Sequence, residues 1–253
     1  AKPPPPPPRS PPPPPPPPAP PPPPRPPGGP SPRLEPLDAD RHAGDLFAAN
    51  AADPDGRMWT YMGYGPFATL ADYRAWAEAA AKSGDPLFHA IVDLSTGRAA
   101  GVASYLRIEP AVGVIEVGHI ALSPSLQRTA AATEAMWLMM RRVFEELGYR
   151  RYEWKCDALN APSRRAASRL GFTYEGTFRQ ATIYKGRNRD TAWFSIIDAE
   201  WPGIDAAFRR WLSPDNFDTA GRQRRRLAEP MQAALAGNGR EGRHGPALPI
   251  DPV

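Results

Sequence analysis

Gly118-His119-Ile120-Ala121-Leu122-Ser123-Pro124-Ser125-Leu126-Gln127-Arg128-Thr129-Ala130-Ala131-Ala132-Thr133-Glu134 is the stretch on which the reading of this chain turns. Val114, Glu116, Gly118, Ile120 and Leu122 mark an alternating run that predicts a strand. Ser123-Pro124 breaks that run, and a long amphipathic helix opens near Ala130. A short loop of small residues between a strand and a helix leaves backbone N–H groups without intrahelical partners. Those donors, with the positive end of the helix dipole, suit a phosphate or pyrophosphate.

A second segment downstream sharpens this: Asp157-Ala158-Leu159-Asn160-Ala161-Pro162-Ser163-Arg164-Arg165-Ala166-Ala167-Ser168-Arg169-Leu170-Gly171-Phe172. With both segments in this order, roughly residues 33 to 200 resemble the GNAT superfamily of N-acetyltransferases, most closely its RimJ/RimL-like branch. Gln127-Arg128-Thr129-Ala130-Ala131-Ala132 sits where that family carries its Q/R-x-x-G-x-G/A motif, and the second segment looks like its N-x-x-S…LGF helix. The resemblance implies a mixed α/β fold: a central antiparallel-rich sheet splayed at the fourth and fifth strands and flanked by helices. It implies acetyl-CoA as co-substrate, held between the strand ending at Leu122 and the one ending at Cys156. Gln127, Arg128, Thr129, Ala130, Ala131 and Ala132 would surround its pyrophosphate, with Arg128 adding a charge-assisted contact. Ala130 replaces a family glycine and narrows the backbone freedom of the loop.

Composition divides the chain. Residues 3–8, 11–18 and 20–24 are unbroken proline, which has no N–H to give a helix or ladder, so residues 1–32 are expected as a disordered, solvated tail. The folded body is expected over 33–213, a size able to bury a core, followed by a basic, flexible tail over 214–253. Lys2, Arg9, Arg25 and Arg33 put +4 at one end, and six arginines from Arg222 onward against Glu229, Glu241 and Asp251 put +3 at the other. The whole chain carries +4, so the body between is at −3, and its charge is no sign of a nucleic-acid-binding fold. A single cysteine, Cys156, excludes an internal disulfide and a multi-cysteine zinc site, and no metal is expected. No apolar run reaches the ~18 residues of a membrane span. No signal-peptide pattern begins the sequence, so a cytoplasmic protein, monomer or homodimer, is the expectation.

Along the body, Arg33-Leu34-Glu35-Pro36-Leu37 reads as a first strand and Asp38-Ala39-Asp40 as a helix start, with a helix over 40–51. Residues 58–67 form an aromatic, glycine-rich loop, and Thr69 caps a helix over 70–82 with Leu70, Tyr73, Trp76 and Ala77 at helical spacing. Strands follow over 87–94, 99–108 and 114–122, then a helix over 130–147 that Gly148 stops. Its Met136, Met139 and Met140 read as core filler. A strand over 152–156, a helix over 163–170, an antiparallel pair over 172–178 and 191–199, and a closing helix complete the order.

Direct acetyl transfer needs a deprotonated amine, a polarised thioester carbonyl and a proton for the leaving sulfur. By the resemblance, Asn160 contacts the pantetheine arm, although an N-cap fits its position equally, and Ser163 is a candidate acid that also fits a cap. Thr182 stands where RimL-like relatives carry a glutamate, which leaves Glu116 and His119 as candidate bases. Strand alternation predicts that they lie on opposite faces. His119 suits a proton relay or is a plain packing histidine, and Tyr184 is a further candidate acid. Arg179, Tyr184, Lys185 and Arg187, with the 58–67 loop, would border the opening for an amine acceptor, either a protein N-terminus or a small amine. Two other readings stand beside this one: a proline-rich interaction protein working through P-x-x-P-x-R at Pro20 to Arg25, and a CoA-binding fold without catalysis.

Overall fold

Asp38 and Thr69 each precede an apolar-periodic run, and each starts a helix. Asp38 caps α1 (Ala39–Asn50), accepting from the Arg41 amide at 3.1 Å, and Thr69 caps α2 (Leu70–Ala81), accepting from the Asp72 amide at 3.1 Å. The structure is a computed structural model that describes residues 32–237. The expected proline tail, apart from Pro32, and its P-x-x-P-x-R stretch lie outside the described residues, as does the chain from 238 onward.

Seven strands form one sheet: β1 (Pro32–Pro36), β2 (Leu87–Asp93), β3 (Arg98–Glu109), β4 (Val114–Leu122), β5 (Arg151–Asp157), β6 (Thr173–Tyr184) and β7 (Arg187–Ile197). Their spatial order is β1-β2-β3-β4-β5-β7-β6, with every neighbouring pair antiparallel except β4–β5. The parallel pair follows from the crossover through α3 (Ala130–Arg141), since parallel strands need a long connection. The helices α4 (Ala161–Arg169), α5 (Trp201–Leu212) and α6 (Ala228–Gly237) complete the described fold.

The two faces of the sheet are covered differently. On one, Tyr105, Ile115, Val117, Tyr152, Trp154 and Phe194 pack against α3 and α5 through Met136, Met139, Met140, Ile204 and Phe208. On the other, α1 and α2 cover only the β1–β3 half, with Leu46, Tyr73, Ala77, Phe88 and Val102 in the core. Leu70 does not join that core as its spacing suggests: it is 41% exposed at the first turn of α2.

Three further differences have physical causes. The helix expected to run to 147 is α-helical to Arg141 and then widens into a π turn (Arg142–Glu146), in which the Leu147 amide reaches the Arg142 carbonyl at 2.9 Å. Gly148, at φ 65, ends it as expected. The last hairpin is longer than expected and turns at Lys185-Gly186, both at positive φ (47 and 70), as a two-residue primed turn requires. A bulge at Gln180 (φ 51) interrupts the alternation of β6 and hides half of that strand from a period-two reading.

The body also continues past residue 213, where a flexible tail was expected. Residues 214–237 fold back on α5, and Leu227 (1% exposed) and Met231 (2%) enter the main core. Phe217, Ala234 and Leu235 pack against that core as well. These apolar residues are spread through an arginine-rich run whose charge dominates its composition.

Candidate active site

β4 and β5 pair only over residues 114–117 and 151–154. Beyond that, β4 stays with β3, with Ala121 and Leu122 opposite Val102 and Gly101, while β5 stays with β7, with Asp157 opposite Thr191. Residues 118–122 and 155–157 therefore part, and the sheet opens a wedge between its fourth and fifth strands. The helices that follow these two strands, α3 and α4, both start at the mouth of that wedge.

The loop into α3 is tightly bonded to itself. Leu126 is buried and anchors it: a Cβ on Gly101 would lie 2.9 Å from Leu126 Cδ2 and 3.2 Å from the Ala121 carbonyl, so only glycine lets the loop approach β3 this closely. The Ser123 amide donates to the Ala100 carbonyl at 3.0 Å, and Gln127 Nε2 donates to the Leu122 carbonyl at 2.8 Å. Thr129 donates its hydroxyl to the Leu126 carbonyl at 2.7 Å and caps α3 by accepting from the Ala132 amide at 3.0 Å. The Thr129 amide leans on the Leu126 carbonyl at 3.4 Å. Of the amides expected around a pyrophosphate, those of Arg128, Ala130 and Ala131 remain without a partner among the described residues. Arg128 sits at φ 63, a left-handed conformation that turns the chain into the helix start.

Across the wedge, Asn160 caps α4 with Oδ1, which accepts from the Ser163 amide at 3.1 Å. Ser163 Oγ accepts from Trp154 Nε1 at 3.0 Å, and its hydroxyl also interacts with the Cys156 thiol. The Cys156 thiol beside it is buried, and that burial pushes its pKa up.

The two candidate bases share one face, contrary to the alternation argument. An extra residue enters β4 between the Gly118–Ser104 and Ala121–Val102 pairs, with His119 at φ 49, and this bulge reverses the parity of the strand. His119 stacks on Tyr64 with ring centroids 5.6 Å apart, and its Nδ1 lies 3.2 Å from the Tyr64 hydroxyl. Burial, aided by the nearby Arg107, lowers its pKa and keeps the imidazole neutral near pH 7. Glu116 lies on the same face, within 2.6 Å of Arg107 Nη1 and 2.9 Å of Lys155 Nζ.

Lys155 also reaches Glu153 at 2.8 Å, and its Nζ lies 3.7 Å from the centre of the Trp193 ring. Arg151 continues the network to Glu153 at 2.6 Å and to Glu175 at 2.5 Å. Tyr184 donates to Asp157 Oδ2 at 2.8 Å, and burial together with that carboxylate pushes the phenol up to about 12. Sequence reasoning missed Glu153, Lys155 and Asp157. Their signal is the alternation of β5 itself, where they interleave with the apolar Tyr152, Trp154 and Cys156.

The 57–67 loop is strapped to the tip of the β6–β7 hairpin. Lys185 Nζ, at the tip of the β6–β7 hairpin, donates to the carbonyls of Trp59 and Gly65 at 2.9 Å each and of Tyr64 at 3.4 Å, and Arg187 reaches that of Thr60 at 3.2 Å. Gly65 (φ 66) must be glycine here, since a Cβ would lie 2.5 Å from the Trp59 ring. Between the β3–β4 turn and the β6 residues Phe178, Ala181 and Thr182 runs a groove of about 650 Å³, floored by β5 and β7.

A parted parallel pair with two helix N-termini at its mouth defines a transferase fold of the acyl-CoA type that the two motifs suggested. The profile of the acetyltransferase (GNAT) domain matches residues 33–173, more than half of the chain, and the chain belongs to that family. It is similar to a GCN5-related N-acetyltransferase of Brucella melitensis, 50% identical over 81% of this chain and 93% of that one, with a TM-score of 0.79. A probable GNAT-family acetyltransferase of Chromobacterium violaceum is 42% identical over 69% of this chain and 87% of that one, with a TM-score of 0.64. A RimL ribosomal L7/L12 α-N-protein acetyltransferase shares the fold at 21% identity, with a TM-score of 0.57 over 66% of this chain and 90% of that one. No match was found among curated proteins. No helix among the described residues is long and apolar enough to cross a membrane.

Proposed function

We propose that this acetyltransferase moves the acetyl group of acetyl-CoA directly to a primary amine, without a metal, as a cytoplasmic monomer or homodimer of the RimJ/RimL-like type. The observation that carries the reading is the wedge between β4 and β5, with the unpartnered Arg128, Ala130 and Ala131 amides at one lip and Ser163 at the other. Acetyl-CoA would supply an activated thioester there. The Arg128 guanidinium and the three amides would hold its pyrophosphate; the amides are fixed by the loop before binding and cost little to orient. The Ser163 hydroxyl would give its proton to the leaving sulfur.

On the acceptor face His119 is the better proton acceptor of the two candidates. It is neutral and has no carboxylate partner among the described residues, whereas Glu116 Oε2 is engaged by two cations. Glu116 then acts by fixing Lys155 and Arg107. Tyr184, already donating to Asp157, braces the wedge rather than giving up its proton.

Calorimetry on the intact chain tests the reading. Acetyl-CoA should bind with a micromolar Kd that an Arg128→Glu, Ala130→Asp double variant weakens by about 100-fold or more, as expected for placing acids at a helix N-terminus. A folded chain with no acetyl-CoA affinity would sink the proposal. The proline-rich interaction reading predicts instead that deleting residues 1–32 abolishes the biological role and leaves free-thiol release from acetyl-CoA untouched.

A further inference from the structure

The charged residues lining the groove are Arg107, Glu109, Glu153, Lys155 and Arg189. Arg107, Glu153 and Lys155 are neutralised within the ion-pair network, whereas Glu109, on the β3–β4 turn side of the groove, makes no ion pair among the described residues. Arg189 makes no ion pair among the described residues: its Nε donates to the Thr191 hydroxyl at 3.1 Å, and its guanidinium lies 5.9 Å from the centre of the Tyr184 ring. Its position is informative. Two residues further along β7, Thr191 pairs with Asp157, the last residue of β5 at the wedge, so Arg189 stands beside the wedge with no ion pair of its own among the described residues.

A half-buried guanidinium with no anionic partner is costly unless a ligand supplies one, and its planar fork matches a carboxylate or phosphate. Next to it in the groove, Phe178 and Trp193 stack at 4.6 Å and 24° to form an apolar wall. Beyond Arg189 the hairpin tip is tied by Lys185 and Arg187 to the 57–67 loop, whose Tyr61 hydroxyl donates to the Leu159 carbonyl at 3.0 Å.

Resting on the acetyltransferase reading, we infer that the acceptor is a small amine that carries an anionic group close to its amino nitrogen, held by Arg189, with an apolar body against Phe178 and Trp193. A peptide N-terminus presents a neutral amide where such a molecule has its carboxylate, and it leaves Arg189 unpaired.

The test measures kcat/KM by free-thiol release with L-phenylalanine, L-phenylalaninamide, O-phosphoethanolamine and the peptide Phe-Gly-Gly-Gly-amide. An anionic amine should exceed the neutral amide and the peptide by about tenfold or more, as expected for one charge-assisted contact. Phenylalanine and phosphoethanolamine separate a carboxylate from a phosphate as the group read. Arg189→Gln should erase the preference through KM while leaving the Kd for acetyl-CoA unchanged, and Arg189→Lys should restore part of it. Equal or better use of the amide or peptide, or an Arg189→Gln loss spread evenly over all acceptors, overturns the inference. So does failure to acetylate either anionic amine by protein that binds acetyl-CoA. Failure to bind acetyl-CoA overturns the function on which the inference rests.

Discussion

The two faces of the central sheet have opposite characters. Under α3 and α5 the strands present Ile115, Val117, Tyr152, Trp154 and Phe194 to an apolar core. On the other face the same strands present Glu116, Glu153 and Lys155, which no helix among the described residues covers. Burial of apolar area stabilises the first face at roughly 25 cal/mol per Å². Buried ion pairs on the second gain little net stability, because desolvation offsets the Coulomb term. The difference teaches that over β4 and β5 one face holds the sheet together while the other spends that stability on a polar groove.

The largest effect is expected on the covered face. Phe194→Ala should cost about 3–5 kcal/mol in urea unfolding, the usual range for truncating a buried aromatic. A loss below about 1 kcal/mol would break the comparison.

His89 sharpens it by pH. It is 7% exposed, and burial, with Arg142 nearby, pushes its pKa from 6.5 down to about 4. The folded state then binds fewer protons than the unfolded one between these values, so stability falls as pH drops from 6.5 towards 4. The full loss is about 3 kcal/mol at 1.36 kcal/mol per unit. His89→Gln should flatten that part of the profile. Glu175, held below its ordinary 4.5 by the Arg151 hydrogen bond, contributes above 4.5 and loses that contribution only as pH falls further, so the two windows are separable.

On the charged face, Lys155→Met should destabilise by about 2 kcal/mol because it leaves Glu116 and Glu153 facing one another without their shared cation. Combining it with Glu116→Gln and Glu153→Gln should recover most of that stability while acceptor turnover stays low. Full recovery of turnover would show that the network has no part in the reaction. The smallest effect is expected at the wedge, where Thr129→Ala removes the α3 cap for about 1 kcal/mol. The same change frees the Ala132 amide, and the Kd for acetyl-CoA reports whether the cap also shapes the anion site.

Much of this was legible in the residues. Alternation located β4 at 114–122 to the residue, and the small polar residues Asp38 and Thr69 located the starts of α1 and α2. The two motifs pointed to a splayed sheet, and β4 and β5 do part. The face shared by Glu116 and His119 was not legible, because a single inserted residue at a bulge changes no composition and no local propensity. Nor was the strap from Lys185 to the 57–67 loop, whose partners lie about 120 residues apart.

The sequence by itself determined the element order, the small-residue loop before α3 and the family resemblance, because these depend on local periodicity, capping chemistry and loop composition. Only the tertiary structure decided which amides of that loop stay unpaired among the described residues, which charges of β5 neutralise one another, and that Arg189 has no ion pair among them. Those outcomes depend on distances between strands far apart in the chain, which no local pattern encodes.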